Sequence, residues 1–520
     1  MIKMRHYLLS AILCVCIIPI TLHGQRFSKV DLLSEARDYR KAHEHSIIKE
    51  FFELLSIPNV SHDRENIRKN AIFIKKIMEK RGIHAQILET AGNPVVYGEL
   101  KAKEAAATLM FYVHYDGQPV DPSKWTESEP FKPILRPGKM EAGSNIPKPM
   151  PFPSPETPFH EEWRIYARGA SDDKAPIIAL LTAIDAVKNA GLPLKNNLKF
   201  IFEGEEEAGS PNLDSFLEKY KDLLTSDVLF MCDGPTYYSG DPTLIYGVRG
   251  ITCISITVYG ANVNLHSGHY GNWAPNPAMR LAQLLASMKD KNGKVKINGF
   301  YDTVIPLSER EIKALKAIPS YDNHLKKLFG FSAAESGEKK LMEAILYPSL
   351  NVNGISSGWV GKQVRTIVPS KAAASIDIRL TKGNEPGYMV QKLIEHVKDQ
   401  GYHVVTTEPD SETRMKYPLI ARVAVEGKGY KASRTFMDLP ISICVINALS
   451  GYSERKPVLV PSLGGSLPIY IFDDILNVPV IGIPIANYDN NQHQPDENIR
   501  IGHLWNAIET FAAVMMMEQK

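Results

Sequence analysis

The sequence predicts an α/β protein in which a mostly parallel mixed sheet is flanked by helices and a smaller α+β unit is inserted into the chain. Strand-like apolar stretches alternate with helical stretches up to Gly250, as expected of a parallel sheet. The pattern then changes, and a chain of 520 residues exceeds the size at which one core keeps growing. Two domains are therefore expected.

The elements of the larger domain follow one another in a regular order. An amphipathic helical region is predicted at 29–55 and a second helix at 65–81. Further along, strands are predicted to alternate with helices, the strands at 107–113, 197–202, 227–232 and 478–485 and the helices at 174–190 and 213–224. This order places helices on both faces of the sheet.

The inserted domain is predicted from a different set of elements. It contains strand-like stretches at 251–259 and 372–380 and helical stretches at 277–289 and 386–400. The sheet pattern resumes around Asp438 to Ala448. These changes divide the mature chain into a first part of the larger domain at 25–248, the insertion at 249–436 and a second part at 437–520.

The charge balance gives no sign of a polyanionic partner. The chain has 60 basic and 58 acidic side chains, a formal net charge of +2, and no long block of one sign. Nucleic acid and anionic membrane surfaces are therefore not expected as partners.

Residues 1–24 have the features of a signal peptide. A basic start precedes the apolar run from Tyr7 to Leu22, and Gly24 offers a small residue for cleavage. We expect export, to a periplasm or the medium, with no stable membrane span in the mature chain. A retained anchor is the less favoured alternative because the run is short and contains Pro19. A lipoprotein is also disfavoured, since bulky residues precede Cys14 and Cys16.

The stretch 130–158 is rich in proline and shows no periodic pattern. It holds nine prolines, five of them at alternate positions from Pro147 to Pro155. A polyproline loop is the expected structure. Its position between two polar clusters leaves two interpretations open, a passive surface insertion and an active-site rim.

Short polar clusters occur where apolar runs stop. Open α/β sheets bind ligands at the carboxyl ends of their strands, so such clusters are candidates for one shared site. They are His114-Tyr115-Asp116, Ser171-Asp172-Asp173-Lys174, Glu205-Glu206-Glu207, Asp233 and His493.

Two of these clusters have an ordinary structural explanation beside the functional one. Strand alternation puts His114 and Asp116 on one side, so the imidazole can bind a metal while the carboxylate receives its other N–H. For the pair taken alone, a solvated turn beside Gly117 is the more common explanation. Ser171 is placed as a helix N-cap, and acids after it suit the helix dipole without any ligand role.

The run Glu205 to Glu207 points more directly to chemistry. Adjacent carboxylates at the end of a buried strand repel one another unless cations compensate them. Hydrolysis by metal-activated water needs a metal-bound carboxylate with a free carboxylate beside it to take the proton. Neighbouring glutamates supply such a pair, although acidic runs are commonly just solvated faces.

Counting the clusters together favours a two-metal site. Two zinc ions that share a bridging carboxylate, each with a terminal carboxylate and a histidine, need two histidines and three acids. The candidate ligands that match are His114, Asp172, Glu207, Asp233 and His493.

With these residues assembled, the chain resembles the aminoacylase and carboxypeptidase-G family of two-zinc metallopeptidases, and most of all its carnosine-dipeptidase-like branch. The resemblance covers nearly the whole mature chain. Its motifs are Glu53-Leu-Leu-Ser-Ile-Pro58, Val113-His-Tyr-Asp-Gly-Gln-Pro119, Ala167-Arg-Gly-Ala-Ser-Asp-Asp-Lys174, Phe202-Glu-Gly-Glu-Glu-Glu-Ala-Gly-Ser210, Leu265-His-Ser-Gly268 and Gly464-Gly-Ser-Leu-Pro468.

The resemblance implies a role for each residue of the centre. His114, Asp172 and Asp233 would hold one zinc, and Asp172, Glu207 and His493 the other, with manganese or cobalt as alternative metals. Glu206 would be the general base and later the proton donor. Asp116 would orient His114.

The resemblance also implies that the insertion is a ferredoxin-like lid through which two subunits pair. His266 would reach the partner's site and stabilise the tetrahedral oxyanion. Arg379 and Thr366 would bind substrate, Arg379 as a fork for a carboxylate. Gly465 and Ser466 would offer backbone amides to a carboxylate, although a plain Gly-Gly turn is the alternative.

The expected function is metal-dependent hydrolysis of dipeptides or short peptides with a free C-terminal carboxylate, by an exported homodimer. An N-acyl amino acid deacylase would use the same metal chemistry. A non-catalytic binding protein on a peptidase scaffold is the alternative of another class. The sequence departs from the family pattern at Ala175-Pro176, where glycine is more usual, and in the proline-rich insertion.

Overall fold

A computed structural model describes residues 29–140, 146–452, 455–465 and 469–518. The predicted signal peptide and Ser466 lie outside the described residues. The helices are α1 (Lys29–Leu55), α2 (Arg64–Glu79), α3 (Lys174–Asn189), α4 (Leu213–Tyr220), α5 (Ser267–Tyr270), α6 (Pro277–Met288), α7 (Glu309–Ala317), α8 (Asp322–Phe329), α9 (Leu341–Ala344), α10 (Pro386–Asp399), α11 (Ser411–Lys416), α12 (Pro440–Tyr452), α13 (Tyr470–Leu476) and α14 (Ile501–Met515).

The strands fall into two larger sheets and three small ones. They are β1 (His84–Leu88), β2 (Val95–Leu100), β3 (Thr108–His114), β4 (Ile134–Arg136), β5 (Arg164–Tyr166), β6 (Asn197–Glu203), β7 (Val228–Met231), β8 (Thr243–Ile245), β9 (Gly247–Val248), β10 (Gly250–Tyr259), β11 (Leu265–His266), β12 (Ser349–Ser356), β13 (Ile367–Val368), β14 (Lys371–Leu380), β15 (His403–Val405), β16 (Ile420–Tyr430), β17 (Ser433–Arg434), β18 (Val458–Val460), β19 (Val480–Gly482) and β20 (Asn498–Arg500).

The central sheet has eight strands in the order β1-β2-β6-β3-β7-β19-β8-β18. Its middle strands β6, β3, β7 and β19 are parallel, and β1 and β2 add an antiparallel edge. Successive side chains of β3 point to opposite faces of the central sheet. Phe111 packs into the core with α1, α3 and α14, whereas Tyr112 packs with α4 and α13. The predicted fold class is confirmed.

The inserted part of the chain folds around a second sheet, in the order β12-β14-β10-β16-β15. One face is apolar: Ile254, Ile256 and Val258 alternate along β10 and pack against α6 and α10. The chain enters this lid after β9 and leaves it through β17, and these two strands pair with each other. The two connections therefore lie side by side at the base of the lid.

One stretch differs from its sequence pattern. Residues 438–448, where sheet was expected to resume, lie mostly in α12. Cys444, Val445, Ala448 and Leu449 are buried at helical spacing, and Pro440 opens the first turn. A short apolar run fits a buried strand or a buried helix equally well, and here the packing against α1 and α14 favours the helix.

The proline-rich stretch is packed over the parts that the structure describes. Leu135 accepts a backbone hydrogen bond from Met150, closing a hairpin-like loop. Arg136 is fully buried and donates to the carbonyls of Thr126 and Pro147. Phe152 lies edge-on to Phe52 of α1. Across the described residues, no helix combines the length and apolarity needed to cross a bilayer.

Candidate metal centre

The predicted clusters meet at one edge of the central sheet. His114 is the last residue of β3, the glutamate run follows β6, and Asp233 follows β7. Because these three strands are parallel neighbours, their carboxyl ends lie together. Asp172 comes from the turn before α3, and His493 from the loop between β19 and β20.

Three of these residues, His114, Asp172 and Asp233, form the first group. His114 Nε2 lies 3.0 Å from Asp172 Oδ1 and 3.9 Å from Asp233 Oδ2. Each residue offers one ligand atom, and these atoms lie within 4.8 Å of one another. One imidazole and two carboxylates at such spacing fit a divalent cation.

A second group shares Asp172 with the first. His493 Nε2 lies 3.1 Å from Asp172 Oδ2 and 3.3 Å from Glu207 Oε2. Asp172 thus faces His114 with one oxygen and His493 with the other, the arrangement expected of a bridging carboxylate. The structure therefore brings together all five predicted ligands.

The turn that carries His493 is held by its own polar residues. Asn491, His493 and Asp496 adopt the left-handed backbone conformation, which these residue types tolerate better than most. Asn490 accepts the Asn498 amide at 2.9 Å, which closes the base of the loop. Asp496 accepts the backbone and side-chain donors of Thr126 at 2.9 and 2.8 Å. The loop is thereby tied to the segment that leads into the proline-rich stretch.

Asp116 contacts both His114 and the glutamate run. Its backbone carbonyl lies 3.1 Å from His114 Nδ1, the ring nitrogen that faces away from Asp172, and its Oδ1 lies 3.5 Å from the same nitrogen. Its two carboxylate oxygens accept the backbone amides of Glu206 and Glu207 at 3.1 and 3.0 Å. Asp116 therefore orients His114 and also holds the glutamate run in place.

The three neighbouring glutamates have different surroundings. Glu207 faces His493 and accepts a hydrogen bond from Gln118 at 2.7 Å. Glu206 lies beside the cluster, with Oε2 4.0 Å from His114 Nε2. Glu205 is turned away and accepts from the Asn93 amide and the Asn212 side chain. Glu205 therefore anchors a loop rather than contributing to the centre.

Two of the ligand carboxylates have buried oxygens without hydrogen-bond donors. Within the described residues, Glu207 Oε1 and Asp233 Oδ1 are among the buried carboxylate oxygens that accept no hydrogen bond. A buried anionic oxygen in this state is costly unless a cation satisfies it. The nitrogen and oxygen donors fit zinc, and they also suit manganese or cobalt.

Two carboxyl groups of the cluster, Glu206 and Asp233, resist ionisation. Burial raises the pKa of Glu206 to about 8, and the negative charges of Asp233 and Glu207 add to this effect. Burial likewise raises the pKa of Asp233 to about 6. Asp172 is the exception, because hydrogen bonds from both histidines outweigh its burial and hold its pKa below the ordinary value.

The pKa values of the two imidazoles are raised by the neighbouring carboxylates. Hydrogen bonds with Asp172 and Glu207 raise the pKa of His493 to about 10. Burial opposes protonation of His114, but its contacts with Asp116 and Asp172 raise the pKa well above the usual range. The cluster therefore takes up protons unless metal cations provide the positive charge.

Ser171 and Glu497 have roles that differ from those expected from the sequence. Ser171 is not the N-cap of α3, because the helix begins at Lys174 with Asp173 in the cap position. The Ser171 hydroxyl lies 3.1 Å from Glu497 Oε1 instead. Glu497 is fully buried, and the sequence analysis assigned it no role. Its closeness to His493 in the sequence was the one available signal.

The predicted lid residues lie apart from the five ligands. His266 ends β11, beside Ile367 of β13, and its side chain contacts Gly268 and His269 in its own loop. Thr366 is its neighbour, since Thr366 accepts the Ser267 amide at 3.0 Å. Both are exposed.

Arg379 lies on β14 and Gly465 in the loop after β18. Arg379 Nε lies 3.4 Å from Asp377 Oδ2 on the same strand. Burial raises the pKa of Tyr430; the positive charge of Arg379 opposes this effect and the negative charge of Glu206 adds to it. The Gly465 carbonyl accepts the Arg249 amide at 3.1 Å.

This combination defines a class: a metal-dependent hydrolase with its ligands at the carboxyl edge of an α/β sheet and a free glutamate beside them. The chain belongs to the peptidase family M20/M25/M40, whose model matches residues 149–517. The resemblance seen in the sequence is thereby confirmed, and the chain is a metallopeptidase.

Individual relatives agree with this assignment. The chain is 28% identical to the human Beta-Ala-His dipeptidase over 431 residues, 80% of this chain and 75% of that protein. It is 26% identical to the Saccharomyces cerevisiae Cys-Gly metallodipeptidase DUG1 over 90% of this chain and 95% of that protein. A solved M20 family metallo-carboxypeptidase from Sulfolobus solfataricus superposes with a TM-score of 0.67 and 29% identity, covering 91% of this chain and 98% of that one.

Proposed function

We propose that the chain is a two-zinc dipeptidase in which Glu206 carries the proton. The observation that carries the proposal is Asp172, one carboxylate between two histidine-carboxylate groups, with Glu206 beside it. Metal-dependent hydrolysis of dipeptides also fits the relatives, which include Beta-Ala-His and Cys-Gly dipeptidases. His114 and Asp233 would hold one ion and Glu207 and His493 the other.

The ions supply electrophilic polarisation of a carbonyl oxygen and acidity to a coordinated water when they are bound. The protein supplies the proton transfers. Glu206 is not needed as a ligand, and it is held next to the ligand groups through its backbone amide on Asp116. Its carboxylate accepts a proton from the attacking water and then donates it to the leaving amine.

A free carboxylate on the substrate would be received by Arg379. This side chain is about one-third exposed on β14, and its charge and that of Glu206 both act on the pKa of Tyr430. A guanidinium offers two parallel N–H donors to a carboxylate. Thr366, Gly465 and Ser466 are further proposed contacts of the substrate.

The proposal includes a homodimer that forms through the lid, in which His266 acts on the partner's substrate. Its Nδ1 accepts the Gly268 amide at 3.1 Å, so a neutral ring carries its proton on Nε2 and can donate to an oxyanion. Strand β12 is an edge strand, and the lid exposes large apolar side chains at Trp273, Ile355, Val360 and Val364. Both features favour pairing with a second copy.

Mixing two inactive variants tests this arrangement. His266→Ala keeps the proton carrier, and Glu206→Gln keeps the lid histidine. If His266 acts in the partner's site, unfolding and refolding the two together restores part of the wild-type turnover, while each alone stays inactive. Sedimentation gives the oligomeric state. A monomer, or a mixture no more active than its components, contradicts the dimer proposal.

A substrate comparison separates the dipeptidase from the deacylase. The zinc-loaded protein is given a library of free dipeptides and a matched set of N-acetyl amino acids. The relatives favour dipeptides, so kcat/KM is expected to be higher for them. Higher kcat/KM for the N-acetyl amino acids would establish the deacylase, and no turnover of either set would favour a binding protein.

Export is proposed on the basis of residues 1–24. Cell fractionation with N-terminal sequencing of the mature protein tests it. A mature chain that starts near Gln25 outside the cytoplasm is expected, and a chain that keeps Met1 in the cytoplasm would contradict export.

A further inference from the structure

Glu497 is a buried carboxylate with an unusual number of donors. Its Oε1 accepts the Ser171 and Asp172 amides at 2.8 and 3.0 Å and the Ser171 hydroxyl at 3.1 Å. Its Oε2 accepts the Gly169 amide at 3.0 Å and Arg168 Nη1 at 2.7 Å. Every one of these donors belongs to the turn 168–172.

This turn carries the bridging ligand of the centre. It precedes α3 and ends in Asp172, whose two oxygens face the two histidines. The Asp172 amide itself donates to Glu497, so the position of the bridging residue depends directly on that carboxylate. A carboxylate that accepts several N–H groups binds them more strongly than a neutral oxygen does.

The backbone of Glu497 belongs to the same chain segment as the ligand His493. Glu497 lies four residues after His493, and its carbonyl accepts the Ala167 amide at 3.1 Å. The next residues form β20, which pairs with β5 just before the turn 168–172. The loop of His493 and the turn of Asp172 are therefore joined through one residue, by backbone on one side and by the carboxylate on the other.

We infer that Glu497 is a positioning residue that fixes the distance between Asp172 and His493, and that the metal affinity of the centre depends on it. The inference rests on the two-zinc function proposed above. Supporting residues behind metal ligands typically contribute about 10- to 100-fold to metal affinity. Glu497 does not touch the substrate, so its effect is expected in metal binding rather than in proton transfer.

The test uses Glu497→Gln, which keeps the size of the side chain but replaces one acceptor oxygen by a donor. Zinc is titrated into the metal-free full-length protein against a chromophoric chelator, and the visible spectrum is recorded with cobalt. We expect zinc affinity to fall about 10- to 100-fold and the cobalt spectrum to change. Turnover at saturating zinc is expected to recover more than turnover at limiting zinc.

Glu44→Gln is the matched control. Glu44 is also buried and paired with an arginine, since Arg40 Nη1 donates to it at 2.6 Å and the Phe159 amide at 2.9 Å. It belongs to α1 and contacts no residue of the centre. This variant is expected to lose thermal stability while keeping the zinc affinity and the cobalt spectrum of the wild type.

Two more variants keep the test decisive. Glu497→Asp retains the charge but shortens the side chain, so it should not rescue zinc affinity, and a full rescue would overturn the positional role. If Glu497→Gln does not fold, Ser171→Ala removes a single donor and should weaken zinc binding by a smaller factor. Wild-type zinc affinity and cobalt spectrum in Glu497→Gln, or wild-type affinity in Ser171→Ala, overturn the inference.

The zinc titration also separates the two proposals. It needs no substrate. A wild-type protein that binds no zinc would contradict the two-zinc function itself, whereas equal binding by wild type and Glu497→Gln would contradict only the role of Glu497.

Discussion

The two halves of the metal centre are built in different ways. His114 ends a buried strand, with its side chain 1% exposed and its ring between Asp116 and Asp172. His493 stands on a loop, with its side chain 49% exposed. The sheet places the first histidine, whereas turn residues and hydrogen bonds place the second. The same ligand type can therefore come from the core or from a polar loop, provided that the loop is anchored.

Removing the residue common to both halves is expected to have the largest effect. Asp172→Ala takes one carboxylate oxygen from each histidine, so neither group keeps its ligands. We expect no stoichiometric zinc after equilibration and dialysis, and no measurable dipeptide turnover. Metal content by mass spectrometry checks this. Two zinc ions per chain in this variant would show that Asp172 is not the bridge.

Removing either histidine compares the halves directly. Each of His114→Ala and His493→Ala is expected to reduce the zinc content from two ions to one per chain. Their effects on the metal-free fold should differ. Loss of the buried His114 ring removes one of the contacts of Asp172 and leaves a cavity at the end of β3. This should cost about 2–3 kcal/mol of unfolding free energy, against less than about 0.5 kcal/mol for His493. Denaturant unfolding of both apo variants measures this. Equal losses would remove the distinction between core and loop.

A smaller and graded effect is expected from pH. The pKa of His493 is about 10 without metal, and that of His114 is also raised, so both rings are protonated at neutral pH. A protonated ring cannot bind a metal, so lower pH favours the metal-free chain and zinc affinity should rise with pH. Each proton displaced contributes about tenfold per pH unit below the pKa of its ring.

Competition titrations between pH 6 and 8 measure this dependence. Removal of His493 should reduce the slope of affinity against pH. An affinity that does not change over this range would show that the histidines are not protonated in the metal-free chain.

The sequence was sufficient to predict the sheet edge but not the network behind it. Strand ends such as His114 and Asp233 follow apolar runs, and parallel neighbours must bring those ends together. The same reasoning could not assign Glu205, because its turn toward Asn93 depends on a loop distant in the chain. The local pattern predicts Ser171 as a helix cap. Its actual partner is more than 300 positions away in the chain, so no local pattern could indicate it.

The helix at 440–452 was missed for a different physical reason. Its apolar residues are too few to distinguish a buried strand from a buried helix without knowing what packs against them. The division of the chain at 249 and 436 and the roles of the lid residues stay predictions. The helix at 440–452, the domain division and the roles of the lid residues all depend on contacts between residues distant in the chain.

Replacing Glu206 tests the central claim most directly. Glu206→Gln leaves the five ligands and the Asp116 hydrogen bonds in place and removes only the proton carrier. With zinc content equal to that of the wild type, dipeptide turnover is expected to fall by about 10²- to 10⁴-fold. Full turnover of the zinc-loaded Glu206→Gln protein would contradict this account.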